Sequence, residues 1–173
     1  MNDINLLQLA FNLLPAIIVG VLAFYFFQMH ITNEEKRRMF MIRHENQKIA
    51  LPIKLQAFER MALFLERISI GKLLLRVKPQ NNDLEAYENL LVRTIDEEFD
   101  HNLAQQIYLT SECWNVIKTS KNATIGIIRR TAKKEGVSSA DELREEILNA
   151  LMDQTAPTEA ALEYIKKEVR NTI

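Results

Sequence analysis

Cysteine, glycine and proline are all scarce in this chain. Its 173 residues hold one cysteine, Cys113, which leaves no disulfide within the chain and no cysteine-rich zinc site. Four glycines and four prolines are too few for a collagenous, low-complexity or turn-rich all-β sequence. Gly20, Gly71, Gly126 and Gly136 stand alone, so there is no glycine-rich phosphate loop. Nucleophile elbows, zinc spacings and EF-hand loops are missing too, and with them the commonest enzyme signatures. The net charge of −1 excludes a generally basic nucleic-acid binder. No stretch sustains the period-two alternation of strands, and no internal repeat is found. The length suits one compact domain plus an appendage, which excludes two independent enzymatic domains.

Hydropathy, by contrast, is concentrated. Residues 13–27 read LLPAIIVGVLAFYFF, with the Tyr25 hydroxyl as the one polar side-chain group. As a helix this run rises only ~23 Å, short of a hydrocarbon core of about 30 Å. Extending it back to Leu6 gives roughly 33 Å, enough to span. The extension admits Gln8 and Asn12, which share a helical face with Asn5. Either these amides sit near the headgroups or they hydrogen-bond a second helix, at about 1–2 kcal/mol or less per bond. Ala16 and Gly20 form a small-xxx-small pair that lets two backbones approach. Pro15 either kinks the helix or marks its first well-buried turn.

A cleaved signal peptide does not fit. The N-terminal flank carries Asp3 and no Lys or Arg, and the run ends in Phe24, Tyr25, Phe26 and Phe27, without small residues for cleavage. After the run come Lys36, Arg37, Arg38, Arg43 and Lys48. The positive-inside bias then puts the C-terminal side in the cytoplasm, with those basic residues near anionic lipid. The four consecutive aromatics fall where an inner interfacial belt belongs. The expected organisation is an extracytoplasmic tail (1–5), a transmembrane helix (6–28), a basic juxtamembrane stalk (29–50) and a cytosolic helical domain (51–173).

The rest reads as all-α, a cytosolic bundle of about five helices. On the stalk, Met39, Ile42, Asn46 and Ile49 repeat at 3-4-3 spacing, a seam under two heptads that is expected to pack on the following domain. Leu51-Pro52 is expected to break the helix. A new one then runs from about Ile53 to Ile68, with Leu51, Leu55, Phe58, Ala62 and Leu65 on one face and Met61, Phe64 and Ile68 widening it. The Ser69-Ile70-Gly71 step interrupts it, residues 72–77 add a short apolar turn, and residues 78–82 form a loop. Asp83 caps a helix carrying Leu84, Tyr87, Leu91, Ile95 and Phe99 on one face, ending near Gln106. The next begins after Thr110 or Ser111 and reaches Glu135, with Gly136 as its stop. Ser139 and Glu142 make a capping box for a helix through Met152, with Leu143, Ile147, Leu148 and Leu151 inward. A last helix runs from Thr158 to about Arg170.

Charge falls in blocks. Residues 31–82 carry a net +6, residues 83–112 a net −7, residues 113–134 a net +6 and residues 135–173 a net −5. Antiparallel neighbours pairing opposite surfaces account for this, at under ~1 kcal/mol per exposed pair. The basic block from Lys118 to Lys134 lacks interleaved aromatics, so no nucleic-acid partner is expected. Glu98 and His101 form the one E-x-x-H of the chain, with Glu97 beside them. Di-iron bundles need two copies, so this half-site reads as a solvated acidic face and no metal or cofactor is expected. Cys113 has no histidine placed nearby and reads as a small buried hydrophobe next to Trp114.

One segment stands out. Residues 51–68, LPIKLQAFERMALFLERI, hold Glu59-Arg60 and Glu66-Arg67, two acid-base pairs one heptad apart. None of the four has an opposite charge three or four residues away on its own helix, so each is solvated or reaches another helix or chain. The span, the basic stalk and this L-P-x-K-L-Q-A-aromatic-E-R and L-E-R-I pattern resemble a family of short single-pass bacterial membrane proteins of unknown function. The resemblance implies an inner-membrane location and a helical cytosolic domain, and carries no catalytic residues. The leading expectation is therefore a non-enzymatic, membrane-anchored interaction or scaffold module, a homo-oligomer without a small-molecule substrate. The alternative is an accessory subunit of a larger inner-membrane complex, recognised through its span. A metal-binding helical enzyme is a distant third.

Overall fold

The computed structural model describes residues 6–152 and 156–172. Every element among them is helical: α1 (Leu6–Ile68), α2 (Ile70–Arg76), α3 (Leu84–Asp100), a 3-10 helix (Leu103–Tyr108), α4 (Ser111–Ala132), α5 (Ala140–Met152) and α6 (Pro157–Thr172). The all-α expectation holds, with more elements than the five foreseen. By its contacts the chain forms two compact units, Met1–Ala50 and Leu51–Ile173.

In the first unit every described side chain from residue 13 to residue 50 is exposed. Met39, Ile42 and Ile49 are among them. The expected break at Leu51-Pro52 is absent, since α1 runs through Pro52 to Ile68 without a second start at Ile53. A proline inside a helix removes one hydrogen bond and crowds one carbonyl, at about 3 kcal/mol. That cost is local, and Ala50, Leu51, Lys54, Leu55, Gln56 and Ala57 around it all favour helix.

The second unit is built around α4, which packs against α3, α5 and α6. Its core joins Phe58, Met61, Phe64 and Leu65 of α1 to Leu73, Tyr87, Leu91, Ile95, Ile117, Ile128, Leu143 and Ile165. Phe99 is the aromatic junction, 5.6 Å from the Phe64 ring and 5.2 Å from that of Trp114. Leu148, expected inward, is 43% exposed. Leu143 and Ile147 already fill the buried face of α5, and Leu148 lies a further 100° round the helix.

Local chemistry sets most boundaries. Ser69 alone breaks α1 from α2, adopting an extended conformation while its carbonyl accepts from Leu73 N–H at 2.8 Å. Ala86 N–H donates to the Asp83 carboxylate at 3.1 Å, and Cys113 N–H to the Thr110 hydroxyl at 3.2 Å, capping α3 and α4. Ser139 and Glu142 close their box at 3.1 and 3.3 Å. Two helices stop earlier than expected. At the end of α3, Asn102 Nδ2 takes the Glu98 carbonyl at 2.8 Å and its N–H bonds back only to Phe99 O, so the chain tightens into the 3-10 helix. At the end of α4, Lys133 and Lys134 likewise donate three residues back, before Gly136 turns the chain at φ +89°.

Candidate functional site

With no catalytic constellation foreseen, the candidate sites are the surfaces of α1. In the first unit every large apolar side chain from Leu13 to Phe27 is 49–69% exposed. This is the exposure of an isolated helix, and the residues form one unbroken apolar sleeve. Ala16 and Gly20 lie on it in the open, with nothing within 4 Å of a Cβ built at Gly20. Gln8 and Asn12 fall on α1 but their side chains lie outside the described set, as does Asn5 altogether. Beyond the sleeve, Lys36, Arg37, Arg38, Arg43 and Lys48 are all exposed, and none makes an ion pair among the described residues.

In the second unit the two acid-base pairs, alike in sequence, have different fates. Arg67 Nε binds Glu98 Oε1 at 2.9 Å, and Glu66 pairs with Lys72. Arg76 approaches the other Glu98 oxygen at 3.7 Å and donates to the Arg67 carbonyl at 3.3 Å, stapling α2 to the end of α1. Arg67 is exposed, so its bridge is worth at most about 1 kcal/mol. Glu59 and Arg60, one heptad earlier, are exposed and make no hydrogen bond or ion pair among the described residues. Beside them Leu63 is 55% exposed, at the edge of an open hollow of about 330 Å³ lined also by Glu66, Arg67, Lys72 and Arg76. Sequence reasoning did not single out Leu63, although its spacing of seven from Gln56 and fourteen from Ile49 marked it.

The other candidates are absorbed by structure. Glu98 is mostly buried between two guanidiniums rather than on a solvated face, and Glu97 pairs with Arg93 at 2.7 Å. Among the described residues no cluster of three or more His, Cys, Asp or Glu side chains is arranged to hold a metal ion. From the second basic block, Lys121 bonds Asp96 at 2.7 Å and lies 4.6 Å from the Phe99 ring centre, while Lys134 pairs with Glu146. Cys113 is fully buried, and that burial, reinforced by Glu168, pushes its thiol up to about 11 against an opposing pull from Lys54.

A model of the Family of unknown function (DUF7935) matches residues 4–172, nearly the whole chain. The chain belongs to this family. No curated protein and no solved structure matches it. Membership in DUF7935 therefore joins the apolar sleeve, the basic segment and the helical unit in one family unit.

Proposed function

We propose that this DUF7935 member is a non-enzymatic, membrane-anchored interaction module that self-associates. Residues 6–28 cross the cytoplasmic membrane of a bacterium once, and residues 51–173 form a helical domain on its cytosolic side. The observation that carries the reading is the exposed sleeve from Leu13 to Phe27. Burying each such side chain is worth about 1.5–3 kcal/mol, so leaving all of them in water is untenable. Soluble monomers expose contiguous apolar patches no larger than about 300–600 Å².

The orientation rests on Lys36, Arg37, Arg38, Arg43 and Lys48, which follow the sleeve with no basic residue preceding it. Making no ion pair among the described residues, they are available to anionic headgroups, at about 1 kcal/mol each near the surface. Self-association is supported by Glu59 and Arg60, charges for which the described residues supply no partner.

Alkaline carbonate extraction of native membranes tests the anchor: the chain is expected to stay in the pellet, and its release would refute a spanning helix. Gentle detergent extraction with light scattering tests the module. This chain alone, as a defined oligomer, is the expected result. A stoichiometric second protein would instead favour the accessory subunit recognised through Asn5, Gln8 and Asn12.

A further inference from the structure

Helix α4 turns a face of one charge to solvent. Beyond its first turn the exposed side chains are Asn115, Lys118, Thr119, Asn122, Arg129 and Arg130, and Lys133 follows at the C-cap. At a helical repeat of 3.6 residues they all fall within about 120° of arc. Cys113, Ile117, Ile125 and Ile128, which face the core, lie outside it. The arc holds no apolar and no acidic side chain beyond that first turn. The block of residues 113–134 carries six basic side chains, and pairing between helices accounts for two, Lys121 with Asp96 and Lys134 with Glu146. Lys118, Arg129, Arg130 and Lys133 make no hydrogen bond or ion pair among the described residues. They form an unpaired row rising ~22 Å along the helix, wholly inside the second unit.

We infer that this row rests on an anionic lipid surface. The composition of the arc selects that occupant. A protein partner is typically held by a desolvated apolar or aromatic centre ringed by polar groups, and the arc offers no such centre. It also carries no aromatic ring on which a nucleic-acid base could stack. An anionic membrane needs neither. Its headgroups attract each basic side chain that comes within a Debye length, without a fixed pairing geometry. A row on one side of a helix meets a plane with all four charges together. The inference rests on the proposed anchor for one thing, the tether. Each contact is weak, but a tethered unit meets the surface at a high effective concentration, so a few weak contacts suffice.

The test is amine labelling of the full chain, reconstituted from detergent into lipid nanodiscs of phosphatidylcholine alone or mixed with phosphatidylglycerol. Acetylation by a water-soluble succinimidyl ester is read at each lysine by mass spectrometry. Lys118 and Lys133 report on the row. Lys167, exposed on α6 and without a partner among the described residues, is the reference. In the anionic discs, labelling of Lys118 and Lys133 relative to Lys167 is expected to fall about fivefold, the factor for one basic side chain held at such a surface. Salt at about 1 M, where the Debye length shrinks to about 3 Å, is expected to abolish the difference. Equal labelling in the two kinds of disc, or an equal fall at Lys167, overturns the row. Protection in neutral discs that grows with protein concentration would assign it to a second copy and overturn the proposal. So would protection by a DNA duplex and not by phosphatidylglycerol.

Charge removal is the second arm. Arg129→Gln with Arg130→Gln removes half the row and is expected to return most of the lost labelling at Lys118 and Lys133. Arg129→Lys with Arg130→Lys keeps the charge and is expected to keep the protection, since the headgroups respond to charge and not to guanidinium geometry. Protection that survives the glutamines, or is lost equally with the lysines, overturns the row. The neutral discs judge the anchor separately. A chain released from them that is still protected by anionic lipid overturns the anchor and leaves the row standing, and retention without protection does the reverse.

Discussion

At the scale of single residues the second unit is defined by how each polar group is satisfied. Cys113 is buried in the first turn of α4 with its thiol pushed up to about 11 by burial, so at neutral pH it is almost entirely protonated. Incubating the folded chain with iodoacetamide at pH 7 should leave Cys113 unmodified, with full alkylation in denaturant; rapid labelling of native protein would contradict its burial. Glu142 is the opposite case. Hydrogen bonds from Ser138 and Ser139 hold its carboxylate below the ordinary value of 4.5. A group whose pKa falls on folding stabilises the fold fully above its unfolded value and loses that contribution as pH drops through its folded value. Protection of the Ser138 and Ser139 amides, taken relative to their intrinsic exchange rate at each pH, should therefore fall as the pH is lowered below 4.5, and Glu142→Gln should flatten the dependence. Both caps were legible in the sequence because a cap is local: S-x-x-E and an Asp before an apolar periodic run carry their partners within three residues. The unequal fates of Glu59-Arg60 and Glu66-Arg67 were not legible, because the deciding partners, Lys72 and Glu98, come from other helices.

At the scale of elements, helix type and inward face followed from periodicity, and the ends did not. Tyr87, Leu91, Ile95 and Phe99 on α3 are buried as their spacing required, and Leu84 on the same face is partly buried. The early ends of α3 and α4 depend on donors reaching three residues back instead of four, a difference too small for hydrophobic pattern to register. Pro52 misled in the other direction. A proline argues strongly for a boundary, yet its cost is bounded, and here neighbours of high helix propensity outweigh it. Pro52→Ala restores the missing donor and should stabilise α1 by about 1–3 kcal/mol, seen as a higher thermal midpoint by circular dichroism. A lower midpoint would mean that the ring makes packing contacts the alanine cannot replace.

At the scale of the whole molecule, the division between Ala50 and Leu51 separates a helix whose described side chains are all exposed from a unit with a continuous core. Residues 51–173 made alone should fold with full helical content and stay in the supernatant after ultracentrifugation. Aggregation of that piece would show that the first 50 residues contribute to its folding. The exposed sleeve was plain in the sequence, because a run of apolar residues needs no tertiary information. The surface around Leu63 was not, because its exposure depends on how α2 folds back against the end of α1.

The aromatic junction at Phe99 has a consequence in time. Phe64 leaves the ribosome 35 residues before Phe99, and Phe99 leaves 15 before Trp114. At about 5–20 residues per second, the inward face of α1 waits several seconds for its first aromatic partner. During that interval Phe58, Met61, Phe64 and Leu65 can meet only the earlier part of their core, such as Leu73, Leu74 and Tyr87. The sleeve before them has emerged earlier still, so the proposed anchor would be available for membrane insertion before the domain closes.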